Sequence, residues 1–211
     1  MKILSICVGK PRTITRYDQA IVTGIFKTPV HEPVKVRTLN IDGDRQADLS
    51  VHGGTLKAVY VYPSEHYGYW RKRYPQVDGK PGSFGENLTT EGLLETNCYI
   101  GDRFRAGTAL FQIAQPRMPC FKLAAKFQDD DIIRRFMKSG RSGLYLSVIE
   151  EGTIQEGDAI EFTSRDPAAF SIADALQLYQ PDPLPPDVLE RALACKELPP
   201  GMRQRAEAEK N

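Results

Sequence analysis

Along residues 1–165 the apolar positions fall in short runs or in strict alternation, which is the period of strands. Ile3-Leu4-Ser5-Ile6-Cys7-Val8 and Ala20-Ile21-Val22-Thr23-Gly24-Ile25-Phe26 are runs of this kind. Val34-Lys35-Val36-Arg37-Thr38-Leu39 alternates, as a strand with one buried face does. Residues 58–62, 109–114, 143–149 and 159–162 complete the set. Gly43-Asp44, Gly53-Gly54, the segment 79–82, Gly101-Asp102 and Gly157-Asp158 separate the runs as turns. Many short strands with glycine-rich turns predict a closed or nearly closed β-barrel.

Helices interrupt this pattern. Ser64 caps one that runs to about Tyr74, where Pro75 stops it. Residues 121–127 predict a short one. Asp129-Asp130-Asp131 opens another that closes near Lys138-Ser139-Gly140, a charge order that suits the helix dipole. After Asp166-Pro167 the character changes. Ser171-Ile172-Ala173-Asp174 starts a helix like a capping box, with Asp in place of Glu. Four prolines within 181–186 make a stiff linker. Further short helices are expected over 188–195 and 202–210. The fold class is therefore mainly β with inserted helices (1–165), followed by a small all-helical unit (168–211).

Composition narrows the function. With 211 residues, 41% hydrophobic and 26% charged, the chain has room for one good core. A net charge of +1 creates no broad field, so neither a nucleic acid polymer nor a membrane is an expected partner. The apolar stretch after Lys2 is shorter than a signal peptide requires, and no run approaches the roughly 18 residues of a membrane helix. A cytoplasmic protein is expected. The four cysteines form no CxxC, and with three histidines they make no zinc spacing. No GxGxxG follows a strand, and there is neither a P-loop nor a GxSxG elbow.

Cys120 is the sharpest chemical feature. It stands in Gln115-Pro116-Arg117-Met118-Pro119-Cys120-Phe121-Lys122, between a strand end and a helix start. A helix N-terminus and the flanking Arg117 and Lys122 favour thiolate, the form that binds a soft metal. A buried structural cysteine is the competing reading, and it is the one adopted for Cys7, Cys98 and Cys195. In Phe84-Gly85-Glu86-Asn87-Leu88, Gly82 and Gly85 let backbone approach a ligand, and Asn87 offers a donor and an acceptor. The alternative is a turn with Asn87 in a left-handed conformation. His52, before Gly53-Gly54, is either a ligand contact or a solvent-facing turn residue. Lys27 is either a phosphate contact or a solvated charge. His66, among Tyr67, Tyr69 and Trp70, reads as packing.

Taken in order, VHGG, FGENLTTEGL, IGDRFRAGTALFQIAQPRMPCFKLA and GLYLSVIEEGTIQEGD resemble the MOSC family, named after the C-terminal part of molybdenum cofactor sulfurase. The likeness is to its bacterial YiiM-like branch. It runs from about Lys2 to Arg165, and the tail from about Ala168 resembles the branch's three-helix extension. The resemblance implies a β-barrel with inserted helices that binds the molybdenum cofactor (molybdopterin). Cys120 is then the catalytic residue and the metal ligand. Arg117 holds the pterin or its phosphate, the loop with Gly85, Glu86 and Asn87 contacts the cofactor, His52 falls on the family's HGG motif, and Lys27 is a basic contact. The aminotransferase-like domain of the sulfurases and the N-terminal barrel of the amidoxime-reducing proteins are absent from the sequence.

By that resemblance the chain is an oxidoreductase that reduces small N-hydroxylated compounds, such as hydroxylaminopurines, to amines. It shows no flavin or nicotinamide site, so the expected electron source is a separate reductase protein. Two other readings use the same residues: a non-catalytic carrier of the cofactor or of sulfur, and a redox-sensing thiol at Cys120. The tail is open to dimerisation (a homodimer), partner docking or simple stability, because helices this short must pack on something.

Overall fold

The computed structural model describes residues 1–77, 79–165 and 167–210, with the backbone alone at Ser50 and Val51. Asp166 and Asn211, at the expected junction and end of the tail, lie outside the described residues. The strands are β1 (Lys2–Val8), β2 (Arg12–Arg16), β3 (Gln19–Thr23), β4 (Thr28–Val30), β5 (Val34–Arg37), β6 (Asn40–Ile41), β7 (Val59–Pro63), β8 (Leu88–Glu91), β9 (Arg103–Ala106), β10 (Ala109–Pro116), β11 (Leu144–Glu150), β12 (Gly152–Ile154) and β13 (Ile160–Ser164). The α-helices are α1 (Leu49–His52), α2 (Tyr67–Arg71), α3 (Phe121–Phe127), α4 (Asp131–Ser139), α5 (Ile172–Gln177), α6 (Pro186–Ala194) and α7 (Pro200–Lys210). Among the described residues no helix is long and apolar enough to cross a membrane.

Eight strands form one sheet in the order β13-β9-β10-β11-β7-β8-β1-β4. β7 and β8 pair in parallel, and the other neighbours are antiparallel. Among the described residues no ladder joins the two ends of this sheet. A single bridge, Lys2 to Ala159, brings the start of β1 to the start of β13, supported by backbone bonds of 2.9 Å from Ile3 N to Asp158 O and from Ile160 N to Met1 O. The free edge of β1 is divided. Its C-terminal half, Ile6 to Val8, already pairs with β4, so only Lys2 to Ser5 remain, and Lys2 and Ile3 make the bridge. The strand-rich body with inserted helices is as the hydrophobic pattern implies. Of the expected closed or nearly closed barrel, the structure shows no full closure, only this one-bridge seam.

β7 explains how two cores coexist. All five of its residues are buried, and alternate side chains leave opposite faces. Val59 and Val61 join the aliphatic core, while Tyr60 and Tyr62 join a second, aromatic cluster with Trp70, Phe84 and Phe136. β5 shows the expected one-sided alternation, with Val34 and Val36 buried and Lys35 and Arg37 exposed. The run 20–26 is a strand only to Thr23. Gly24 and Ile25 leave the hairpin and line a cavity instead.

The tail packs into the aliphatic core. Phe170, Ile172, Val188, Ala192, Met202 and Ala206 are buried in the same contiguous cluster as Ile3 and Phe111. Ser171 caps α5 as expected, its hydroxyl accepting from Asp174 N at 2.9 Å. Backbone bonds from Ile172 N to Cys98 O and from Ile100 N to Phe170 O, at 2.8 and 2.9 Å, fasten this segment to the body.

Candidate functional site

Between α1, β7, the 82–87 loop and the β10–α3 turn lies a half-open cavity. Lys27, His52, Gly85, Asn87, Arg117 and Cys120 all line it. Glu86 does not. Of the residues singled out in the sequence, the structure thus brings six to one cavity and turns the seventh away from it.

Cys120 is the residue just before α3, in an extended conformation (φ −132°, ψ 172°), and its side chain makes no capping hydrogen bond. The sulfur is therefore left over for the cavity. Its Sγ lies 3.9 Å from Nε2 of His52. Burial, then the positive charges of Lys122 and Lys57, push the His52 imidazole below its ordinary value, so the ring is neutral at pH 7. It faces the cavity rather than solvent.

Arg117 is the most constrained group. It is 5% exposed, and its Nη1 is buried with no hydrogen-bond partner. Its guanidinium carbon sits 5.3 Å from the Tyr60 ring centroid and 5.0 Å from that of Phe136. Ring faces offset part of the cost of burying this charge, but they do not satisfy an N–H. A buried cation with an orphaned donor at a cavity wall is built for an anionic or acceptor-rich ligand.

Lys27 is not the solvated strand-end charge that its position suggests. It is buried against Asp44, whose carboxylate also accepts from Gly9 N at 2.9 Å. Burial lowers its pKa in spite of Asp44. Asp44 and Lys122, which also line the cavity, are both buried. Lys126 donates to Ile25 O and Gly82 O at 3.1 and 2.6 Å, and burial pushes it down to about 8. It fastens two cavity loops together from behind.

The 82–87 loop is held by Glu86. Its fully buried carboxylate accepts from Gly82 N and Phe84 N, both at 2.8 Å, and from the Tyr67 hydroxyl. These bonds hold the loop in shape. Asn87 is similarly committed: Oδ1 accepts from Tyr60 N at 3.1 Å and Nδ2 donates to Cys7 O at 3.3 Å, sewing β7 to β1. The left-handed residues of the loop are Gly82 and Gly85, not Asn87. At φ +81° a Cβ on Gly85 would come 2.6 Å from Ile25 Cγ1, so the glycine permits contact between two walls of the cavity.

Sequence reasoning missed Asp44, Tyr60, Tyr145 and Lys57 at this cavity. The tyrosines carried a signal, since they alternate with apolar residues in strands. His66, read as packing, is indeed buried and outside the cavity. Its Nε2 meets Glu95 Oε2 at 2.7 Å, and Glu95 also accepts from Gly143 N at 2.6 Å. Cys7, Cys98 and Cys195 are buried as expected, and burial pushes the first two up to about 12. Among the described residues no three His, Cys, Asp or Glu side chains converge as a metal site.

Residues 48–161 match the model of the MOSC domain. The chain belongs to the MOSC family. The match takes in His52, Glu86, Asn87, Arg117 and Cys120, whereas Lys27 precedes it. This MOSC chain is 40% identical to YflK of Bacillus subtilis over 91% of its own length and 86% of that protein's. It is 32% identical to a protein of Gibberella moniliformis named reductase, over 76% of its own length but only 29% of that longer chain. Its fold superposes on the crystal structure of YiiM from Geobacillus stearothermophilus with a TM-score of 0.79 and 35% identity, covering 100% of this chain and 99% of that one. The MOSC match ends before the tail, yet the YiiM structure aligns with the tail too.

Proposed function

We propose that this MOSC chain is a molybdenum-cofactor-dependent oxidoreductase that reduces N-hydroxylated compounds, hydroxylaminopurines among them, and receives its electrons from a separate reductase protein. The observation that carries the reading is the unpartnered, buried Nη1 of Arg117 in the wall that also presents the sulfur of Cys120, which makes no capping bond.

The residues present fit such a group. Cys120 and His52 alone are too few donors for a bare ion, but Cys120 would serve as the one protein ligand of a metal that the cofactor's own dithiolene holds. Arg117 supplies a fixed cation for the pterin or its phosphate, and Lys27 and Lys122 add positive charge from two further elements. When bound, the cofactor supplies the two-electron redox chemistry. The chain's own residues bind, orient and screen. Arg117, held between aromatic rings, keeps its orientation without ligand, so little ordering cost falls on binding. His52, neutral at pH 7, leaves Nε2 free to exchange a hydrogen bond at the sulfur side of the cavity. Tyr60, Phe84 and Tyr145 form the dry wall of the cavity. The reductase named among the relatives supports the redox class.

The test is to purify the protein from a host that makes molybdenum cofactor and to assay metal and oxidised pterin in wild type and Cys120→Ser. Near-stoichiometric metal and pterin in wild type, with metal sharply reduced in the variant, is the expected result. No metal and no pterin, even after incubation with free cofactor, overturns the reading and favours thiol chemistry at Cys120.

A further inference from the structure

Away from the cavity, α2 and α4 frame an open groove. Among the described residues five cations line it (Arg73, Arg134, Arg135, Lys138 and Arg141), and no carboxylate does. Asp131, nearby on α4, engages Arg134 at 3.3 Å and Arg135 at 2.8 Å, and Asp129 is close enough to act on Arg135 and Arg73, so two carboxylates offset part of the charge of five cations and the groove keeps a positive excess. The whole chain carries only +1, so this charge is segregated rather than general. The Nε of Arg135 is buried without a partner.

The groove has an aromatic floor that leads inward. Tyr69 and Trp70 line it, with ring centroids 5.0 Å apart. Trp70 stacks on Phe136 at 5.6 Å and 18°. Phe136 lies under Arg117, 5.0 Å from its guanidinium carbon, and Arg117 lines the cavity beside Cys120. A molecule seated in the groove is thus joined to the cavity by a continuous line of packed side chains.

We propose that this groove docks the acidic face of a flavin-carrying electron-donor protein, and that Trp70 and Phe136 fill the space through which its electrons reach the cavity. This rests on the reductase reading above. The overall change is R–NHOH + 2 e⁻ + 2 H⁺ → R–NH₂ + H₂O. The N–O bond breaks, nitrogen is reduced, the reduced flavin of the donor is oxidised, and solvent supplies the protons. A basic patch meeting an acidic one steers encounter and fixes orientation, and this steering weakens with salt.

The test uses flavodoxin, an acidic flavin mononucleotide protein, as the probe. Titration calorimetry measures its binding to the full chain at low and at physiological ionic strength. The variants are Arg134→Glu with Lys138→Glu and, as a control, Lys196→Glu with Lys210→Glu, all four positions being exposed. Expected are measurable binding at low salt, weakening as salt rises, and at least about a tenfold loss in the groove variant alone. No binding by wild type at low salt, or equal losses in both variants, overturns the assignment. Turnover with reduced methyl viologen, a small donor that needs no docking face, is expected to be unchanged in the groove variant. Absence of molybdenum and of viologen turnover would remove the reading of the cavity, while the calorimetry still decides the groove.

Discussion

The Sγ of Cys120 lies 3.9 Å from the Nε2 of His52, across 68 residues of sequence. The His52 ring is pushed down by burial and by Lys122 and Lys57. Between its folded and unfolded pKa values the unfolded chain binds more protons, so this histidine's effect on stability is neutral above the unfolded value and turns unfavourable as pH falls below it. An NMR titration of the His52 ring, assigned by comparison with His52→Gln, is expected to show a midpoint below the ordinary value of about 6.5. A midpoint at or above that value removes the assignment of a neutral ring facing the sulfur.

Arg117 is a charge retained for a ligand. Replacing it with Met substitutes an apolar chain of similar length for a buried, incompletely satisfied cation. The cofactor-free protein is expected to be unchanged or up to about 2 kcal/mol more stable, while cofactor retention falls by at least about tenfold. Denaturant unfolding and pterin analysis measure the two effects. A loss of more than about 2 kcal/mol on unfolding would mean that the rings and Tyr145 already satisfy the guanidinium.

Glu86 serves the loop. In Glu86→Gln one oxygen becomes an N–H donor facing donors, at Gly82 N, Phe84 N or the Tyr67 hydroxyl. The expected cost is about 1–3 kcal/mol, with cofactor binding weakened indirectly. A variant that keeps full stability but loses cofactor would instead make Glu86 a direct contact.

The tail is tested at Phe170, which is fully buried in the core shared with the sheet. Phe170→Ala is expected to cost about 3–5 kcal/mol in a single cooperative transition. Loss of the tail helices in a separate, earlier transition, seen by circular dichroism against tryptophan fluorescence, would show that 168–211 folds as an independent unit.

What the amino-acid order determined by itself was local. Period-2 alternation marked β5, the Ser171 cap and the proline punctuation marked α5 to α7, and the thiol at the β10–α3 turn marked the site, because each depends on neighbours a few residues away. The edge-strand arithmetic was not local. Whether the sheet closes depends on which strand takes the free edge of β1, and β4 took half of it. The roles of Lys27, Glu86 and Asn87 were decided in the same way. Each is a polar group whose partner comes from another element: Asp44 for Lys27, the Tyr67 hydroxyl beside the loop amides for Glu86, and the backbones of β1 and β7 for Asn87. A sequence states which groups can donate and accept. Only packing decides which buried group is already satisfied and which, like Arg117, is left facing a cavity with a donor to give.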